Sequence, residues 1–341
     1  MTHVDQTNEA IYHLPLTIYR PSTPNPNTNH RANTYNLCMG AFNGPKDWGR
    51  LLTAMLTPFG TDGGVNYAEA ARIANFLVDE QKNDGLVVNG TTGESPTLEE
   101  SEKLHLLETT LEAVGDKAAV IFGAGTYNTK ESIHMAREAE RIGAHGIMLV
   151  NPYYNKPGQA GLYAHFEAIA NEVSLPVMVY NIQPRSSINL ETSTLLKLAQ
   201  KSNIVAVKEA SGNVPQISEV CGSVPPGFRV YSGDDAITLP ILSVGGYGLV
   251  SVAAHVVGAE IKQMIESFEK DPAEARRIHH RLTPVFKALF AYPSPVPVKY
   301  ALSLMGFDCQ SVRLPLVEMD GTYKEPVERL MRELGKVTVA A

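Results

Sequence analysis

Between residues 51 and 252 short apolar runs alternate with segments of helical period, eight times over. The runs fall at 51–56, 85–89, 119–122, 146–150, 176–180, 204–208, 228–232 and 248–252. They are apolar without the in–out alternation of a half-exposed sheet, which is how parallel strands read when helices cover them. Between them Tyr67, Ala70, Ala71, Ala74, Leu77 and Val78 recur at helical spacing, as do Leu104, Leu107, Leu111 and Val114, and then Ile133, Ala136 and Ile142. Further helices are expected near 159–172, 189–200, 213–222 and 235–243. Eight such units predict an α/β fold, a closed (β/α)8 TIM barrel, with an open doubly wound sheet as the alternative.

The 341 residues exceed the roughly 250 that one such barrel takes, and the surplus lies at both ends. Residues 1–45, with Pro21, Pro24 and Pro26 among Asn25, Asn27 and Asn29, predict a mobile or loosely packed extension. Residues 46–254 predict the catalytic barrel, and 255–341 a helical extension. In that extension Ile261, Met264, Ile265 and Phe268 share a face, and helices near 273–291, 295–306 and 324–336 are interrupted at Pro293, Pro295 and Pro297.

The net charge of -7, from 29 basic and 36 acidic residues, argues against a nucleic-acid track and for small-molecule chemistry. Cys38, Cys221 and Cys309 are far apart and form no C-x-x-C pair, so neither a disulfide scaffold nor a cysteine-rich zinc site is expected. A reducing, cytoplasmic setting fits. No apolar stretch reaches the roughly 18 residues of a membrane span, and the N-terminus has no basic start and apolar core of a secretory leader.

Chemistry is expected where strands end. Lys208 closes the run Ile204-Val205-Ala206-Val207 and is followed by a loop of small residues. The C-terminal face of a barrel is where such folds build their sites. An amine in an apolar barrel mouth loses its proton near neutral pH and attacks ketones; a lysine capping a strand in solvent is the plainer alternative. Gly90-Thr91-Thr92-Gly93-Glu94-Ser95 follows the second run and offers hydroxyls and backbone N–H groups to a carboxylate, without the ending of a P-loop. Asn151-Pro152-Tyr153-Tyr154 and Tyr180-Asn181 place phenols at two strand ends, and Arg185 offers a guanidinium. Gly123-Ala124-Gly125 is a poor dinucleotide fingerprint, because Asn128 stands where the third glycine belongs. Asp234 and Asp235 suit helix capping better than a metal. His279 and His280 are adjacent on a helix and cannot share one ligand face.

Taken in order, these segments resemble the dihydrodipicolinate synthase branch of the pyruvate-dependent class I aldolases. The likeness runs from about 48 to 335, through Gly90-Thr91-Thr92-Gly93-Glu94, Pro152-Tyr153-Tyr154-Asn155-Lys156-Pro157, Tyr180-Asn181, Val207-Lys208-Glu209-Ala210, Gly233-Asp234-Asp235 and Pro297-Val298-Lys299. The resemblance implies that Lys208 forms a Schiff base with pyruvate and that the enamine attacks L-aspartate 4-semialdehyde. The product would be 4-hydroxy-tetrahydrodipicolinate, made without cofactor or metal in lysine and diaminopimelate biosynthesis. It implies Tyr180 as general acid–base, Thr91 and Tyr154 as relays, Thr92 as pyruvate clamp, and Arg185 as clamp for the aldehyde's carboxylate. Gly233 and Val250 would line the lysine pocket, and Tyr153 would cross a tight dimer interface within a homotetramer built as a pair of dimers. A 2-keto-3-deoxy sugar-acid aldolase of the same superfamily and a catalytically silent scaffold are the competing readings.

Two departures stand out. The family loop Tyr-Asn-Val/Ile-Pro-x-Arg-Thr-Gly reads here Tyr180-Asn181-Ile182-Gln183-Pro184-Arg185-Ser186-Ser187, so proline has moved one place and a glycine is gone. The shifted proline predicts an extended Gln183. Strongly lysine-inhibited relatives often carry two histidines where Glu100 and Lys103 stand. Tyr127 replaces an expected asparagine, with Asn128 adjacent, while Glu131 and Tyr153 remain. The charge on Lys103 predicts weak or absent feedback inhibition by lysine.

Overall fold

The structure, a computed structural model, describes residue 44 and residues 46–338. The extension expected over 1–45 lies outside that range except for residue 44. The elements are β1 (Leu51–Ala54), α1 (Tyr67–Asp79), β2 (Gly85–Val88), α2 (Glu100–Val114), β3 (Ala119–Gly123), α3 (Thr129–Ile142), β4 (Gly146–Val150), α4 (Gln159–Ala170), β5 (Val177–Asn181), α5 (Gln183–Ser186), α6 (Thr192–Leu198), β6 (Ile204–Glu209), α7 (Val214–Ser223), β7 (Arg229–Ser232), α8 (Thr238–Ser243), β8 (Gly248–Ser251), α9 (Ala254–Ser267), α10 (Pro272–Leu289), α11 (Val296–Leu304) and α12 (Gly321–Glu333).

The strands pair in parallel, each with the next, and β8 returns to β1, so the sheet is a closed barrel in sequence order. An open sheet is thereby ruled out. Burial on both faces explains the unbroken apolar runs. Outward residues such as Leu51, Leu86, Val120 and Val207 pack under the helices. Inward residues form a second cluster, with Trp48, Leu52, Val87, Ile121, Met178, Ala206, Tyr231 and Val250. Helix α9 packs against β1 and β8, so the eighth unit draws its covering helix from the C-terminal segment.

Local chemistry corrects several boundaries. β1 stops at Ala54 because the Leu56 N–H turns to His255 Nε2, 3.2 Å away. The helix expected from 189 starts at Thr192, since the Leu190 N–H donates to Asn181 Oδ1 at 3.0 Å. Pro297 does not interrupt a helix. It sits in the first turn of α11, where a missing N–H has no helical partner to lose.

Candidate active site

Strand geometry builds the site. In β6 successive side chains alternate, so Lys208 points into the barrel and Glu209 out of it. Tyr180 of β5 is in register with Lys208, and Asn181 with Glu209. Lys208 is 5% exposed, and its Nζ lies 4.1 Å from the centre of the Tyr180 ring. A side chain on Gly233 would meet the Lys208 stem at 3.0 Å, so the glycine makes room for the lysine. Val250 belongs to the same inward cluster as Tyr180. Burial pulls the Lys208 amine down to about 7; the Asp235 charge opposes this and Arg185 adds to it. An ordinary lysine, near 10.4, would be neutral in only roughly one molecule in a few thousand at pH 7. Burial raises the Tyr180 phenol, while Arg185 and the Thr91 hydroxyl beside it pull the other way. Tyr180 is therefore a protonated donor, and Lys208 an available nucleophile.

Against Tyr180 opens a cavity of about 210 Å³, walled in part also by Thr91, Ser95, Tyr153 and Arg185. Thr92, the next residue after Thr91, is buried. The Thr91–Thr92 turn is closed by Gly93 and Glu94 N–H groups donating to Gly90 O and Thr91 O, both at 3.1 Å. The shifted proline acts otherwise than expected. Gln183 is not extended but opens the one-turn α5, with Pro184 in its first turn. Pro184 gives up an N–H that the turn does not use, while Ser186 and Ser187 donate to Ile182 O (3.0 Å) and Gln183 O (2.8 Å). Ser187 takes φ +61°, the left-handed conformation that a glycine would adopt freely. Arg185 stays on the cavity wall, exposed to solvent.

The two tyrosines after β4 are placed differently. Tyr153 is half-buried, lines this chain's own cavity and meets Tyr127 edge-on at 5.2 Å between ring centres. Tyr154 has φ +71° and is 92% exposed, so within one chain it does not relay protons to Tyr180. The left-handed backbone at Tyr154 swings its ring away from the barrel. Asn128 caps α3, accepting from Lys130 N and Glu131 N, and the Thr126 hydroxyl donates to Glu131 at 3.4 Å. Glu100 contacts His134 Nε2 at 2.8 Å. Lys103, one turn along α2 from Glu100, is half-buried.

Some groups beside the site escaped the reading of the sequence. Asn181 donates from Nδ2 to the buried Glu209 carboxylate at 3.1 and 3.3 Å, tying the tops of β5 and β6 together behind Tyr180 and Lys208. Their signal was adjacency: each follows an inward catalytic candidate. Asn89 lines the cavity at φ +57° and donates to Gly123 O at 2.6 Å. Asp234 caps the turn after β7 by accepting from Ala236 N, while Asp235 accepts from Ser251 Oγ and the N–H groups of Val252 and Ala253. The acidic pair is thus spent on capping. Among the described residues, no group of three or more His, Cys, Asp and Glu is placed to hold a metal ion. Nor is any helix among them long and apolar enough to cross a membrane.

A buried amine near neutrality, a phenol against it and a guanidinium on the cavity wall stand together in a chain that has known counterparts. Residues 47–334 match the Dihydrodipicolinate synthetase family. The 4-hydroxy-tetrahydrodipicolinate synthase of Moorella thermoacetica is 50% identical over 289 residues, covering 84% of this chain and 99% of that protein. A crystal structure of DHDPS from Cyanidioschyzon merolae with lysine bound superposes with a TM-score of 0.83 at 44% identity, over 85% of this chain and 99% of that one. The DapA-2 dihydrodipicolinate synthase of Bacillus anthracis gives 0.82 at 41% identity, over 86% and 99%. The family match, the sequence identity and the superposition each span the whole barrel, and the chain belongs to the dihydrodipicolinate synthetase family.

Proposed function

We propose that this chain condenses pyruvate with L-aspartate 4-semialdehyde to give 4-hydroxy-tetrahydrodipicolinate. The observation that carries the reading is Lys208, buried, inward and held near neutrality over the ring of Tyr180. The Lys208 amine attacks the pyruvate ketone and water leaves, giving a cationic imine. That charge acidifies the methyl group; loss of a proton gives the enamine, whose carbon attacks the aldehyde. The amine of the new chain then attacks the imine carbon, freeing Lys208 and closing the ring. Tyr180 and Thr91 hold and pass the protons, Thr92 and its turn receive the pyruvate carboxylate, and Arg185 receives that of the aldehyde. The one-turn α5 supports the last role, because it leaves Arg185 on the cavity wall despite the moved proline. The neutral polyol aldehyde of a sugar-acid aldolase would leave that guanidinium without an anion.

Its exposure and left-handed backbone support Tyr154, rather than Tyr153, as the ring that leaves its own chain to enter a neighbour's site, in a homotetramer made of two dimers. Mixing Lys208→Ala with Tyr154→Phe chains should then restore activity, since one site per pair regains both groups; two inactive parents that stay inactive on mixing would sink it. Feedback by lysine is weak, because Lys103 repels the effector and Glu100 is already engaged by His134; half-maximal inhibition by submillimolar L-lysine would contradict this. The deciding experiment supplies both substrates, with the next-step reductase as coupling enzyme, and follows NADPH loss. Turnover saturable in both is expected; none, with the coupling enzyme active, overturns the assignment.

A further inference from the structure

The segment Pro297-Val298-Lys299 takes no part in the chemistry above, yet Lys299 is fully buried. An ammonium in such a place needs partners for every donor, and it has them. Its Nζ donates to Glu94 Oε1 at 2.5 Å and to Ser311 O at 2.7 Å, and lies 4.2 Å from the centre of the Phe59 ring. Glu94 is 3% exposed and its Oε2 accepts the Arg313 N–H at 3.1 Å. The Arg313 guanidinium lies 4.4 Å from the same Phe59 ring and donates to Gly63 O, Thr97 O and Glu102. Residues from 299 to 313 therefore grip the segment 94–102 at both ends.

That segment begins under the Thr91–Thr92 turn. Glu94 has φ +55°, an uncommon conformation for a residue with a side chain. Its N–H closes the turn onto Thr91 O at 3.1 Å, and the Thr57 hydroxyl donates to Gly93 O at 2.7 Å. The next two residues, Ser95 and Pro96, line the cavity. An ion pair serving stability alone has no need to grasp this residue. We infer that Lys299 is a positioning residue: acting through the Glu94 carboxylate, it fixes the Thr91–Thr92 turn, so the helical extension sets how the barrel holds its keto acid and moves protons. The inference rests on the roles given above to Thr91 and Thr92.

The test compares the full-length wild-type chain with Lys299→Met, Glu94→Gln and the double variant, by coupled kinetics and by borohydride trapping of pyruvate on Lys208. In Lys299→Met the imine should still be trapped at saturating pyruvate. Pyruvate KM should rise and kcat fall, together by about 100-fold in kcat/KM, the scale of a misplaced reacting group. The double variant should be less impaired than Lys299→Met, because no buried carboxylate is left unpaired. A folded Lys299→Met with wild-type KM and kcat, whatever its melting temperature, overturns the inference, and so does a double variant no better than it. Should Lys299→Met fail to fold, Glu94→Gln, of equal shape, decides by the same two constants. Wild-type chain that traps no pyruvate overturns the reading of the site and this inference with it. Wild-type trapping matched by every variant in both constants overturns the inference alone.

Discussion

The two ends of the barrel are built on opposite terms. At the N-terminal end Trp48 is fully buried and its Nε1–H donates to His145 O at 3.0 Å. Beside it Arg229 binds Asp47 through two hydrogen bonds of 2.7 and 3.0 Å, and the Tyr231 hydroxyl donates to Gly49 O at 2.6 Å. At the C-terminal end lies a cavity, a buried amine with no counter-ion at salt-bridge distance among the described residues, and strained backbone. Among the described residues, five of the six non-glycine residues at positive φ are in the loops above β2, β4 and β5: Asn89, Glu94, Tyr154, Lys156 and Ser187. One end is closed by satisfied polar groups and apolar bulk. The other spends stability on geometry that chemistry needs.

The sharpest break in this symmetry is Lys208→Ala. It should abolish borohydride-dependent pyruvate adduct and turnover together, while the fold is kept or stabilised, since a buried amine near neutrality contributes little cohesion. A stoichiometric adduct in the variant would remove Lys208 from the mechanism. The converse substitution is Trp48→Ala. Losing a fully buried indole should cost about 3–5 kcal/mol, read as a lower urea midpoint by circular dichroism. Adduct formed per folded molecule should not change. A loss of adduct in the folded protein would show that the two ends are not independent.

Acidity separates the ends more gently. Burial sets Lys208 near 7, so kcat/KM for pyruvate should fall about tenfold per pH unit below that value and level off above it. Stability follows a different sign at each group. Arg229 holds Asp47 below 3.8, so its contribution is complete above that value and is lost only as pH falls through the lower folded one. Lys208 is depressed from 10.5, so between about 7 and 10.5 the unfolded chain binds the extra proton and stability rises with pH. From pH 8 to 5, activity should drop while Asp47–Arg229 persists. A flat kcat/KM profile over that range would mean that the amine is not the titrating nucleophile.

What the sequence made legible follows the same division. The eight runs and the helical periods between them specify the barrel, because local pattern and tertiary environment agree there. Lys208 is visible as the last inward residue of one such run. The loops are less readable. At 183–187 a proline reads as a signal for extension, but tertiary context uses it as the start of a helical turn. Nothing in the adjacent pair Tyr153-Tyr154 says which ring turns outward; a positive φ at the second decides it. The Lys299–Glu94 pair spans 205 positions, and no local pattern reports a contact of that range.

Ser187 gives the smallest effect and the most direct reading of strain at the catalytic end. It ends α5 in the left-handed region at φ +61°, exposed, its N–H donating to Gln183 O at 2.8 Å. A side chain in that conformation costs roughly 1–2 kcal/mol, whereas glycine adopts it freely but adds unfolded-state entropy of roughly 0.4–1 kcal/mol. Ser187→Gly should therefore stabilise the chain by at most about 1.5 kcal/mol, seen as a small rise in melting temperature. Since the Ser187 N–H is retained, α5 and Arg185 should hold their places and the KM for the aldehyde should stay constant. A stability gain with unchanged KM would place the strain in the backbone alone. A gain accompanied by weaker aldehyde binding would mean that the left-handed serine helps aim Arg185, and that this departure from the family loop is tuned to its substrate.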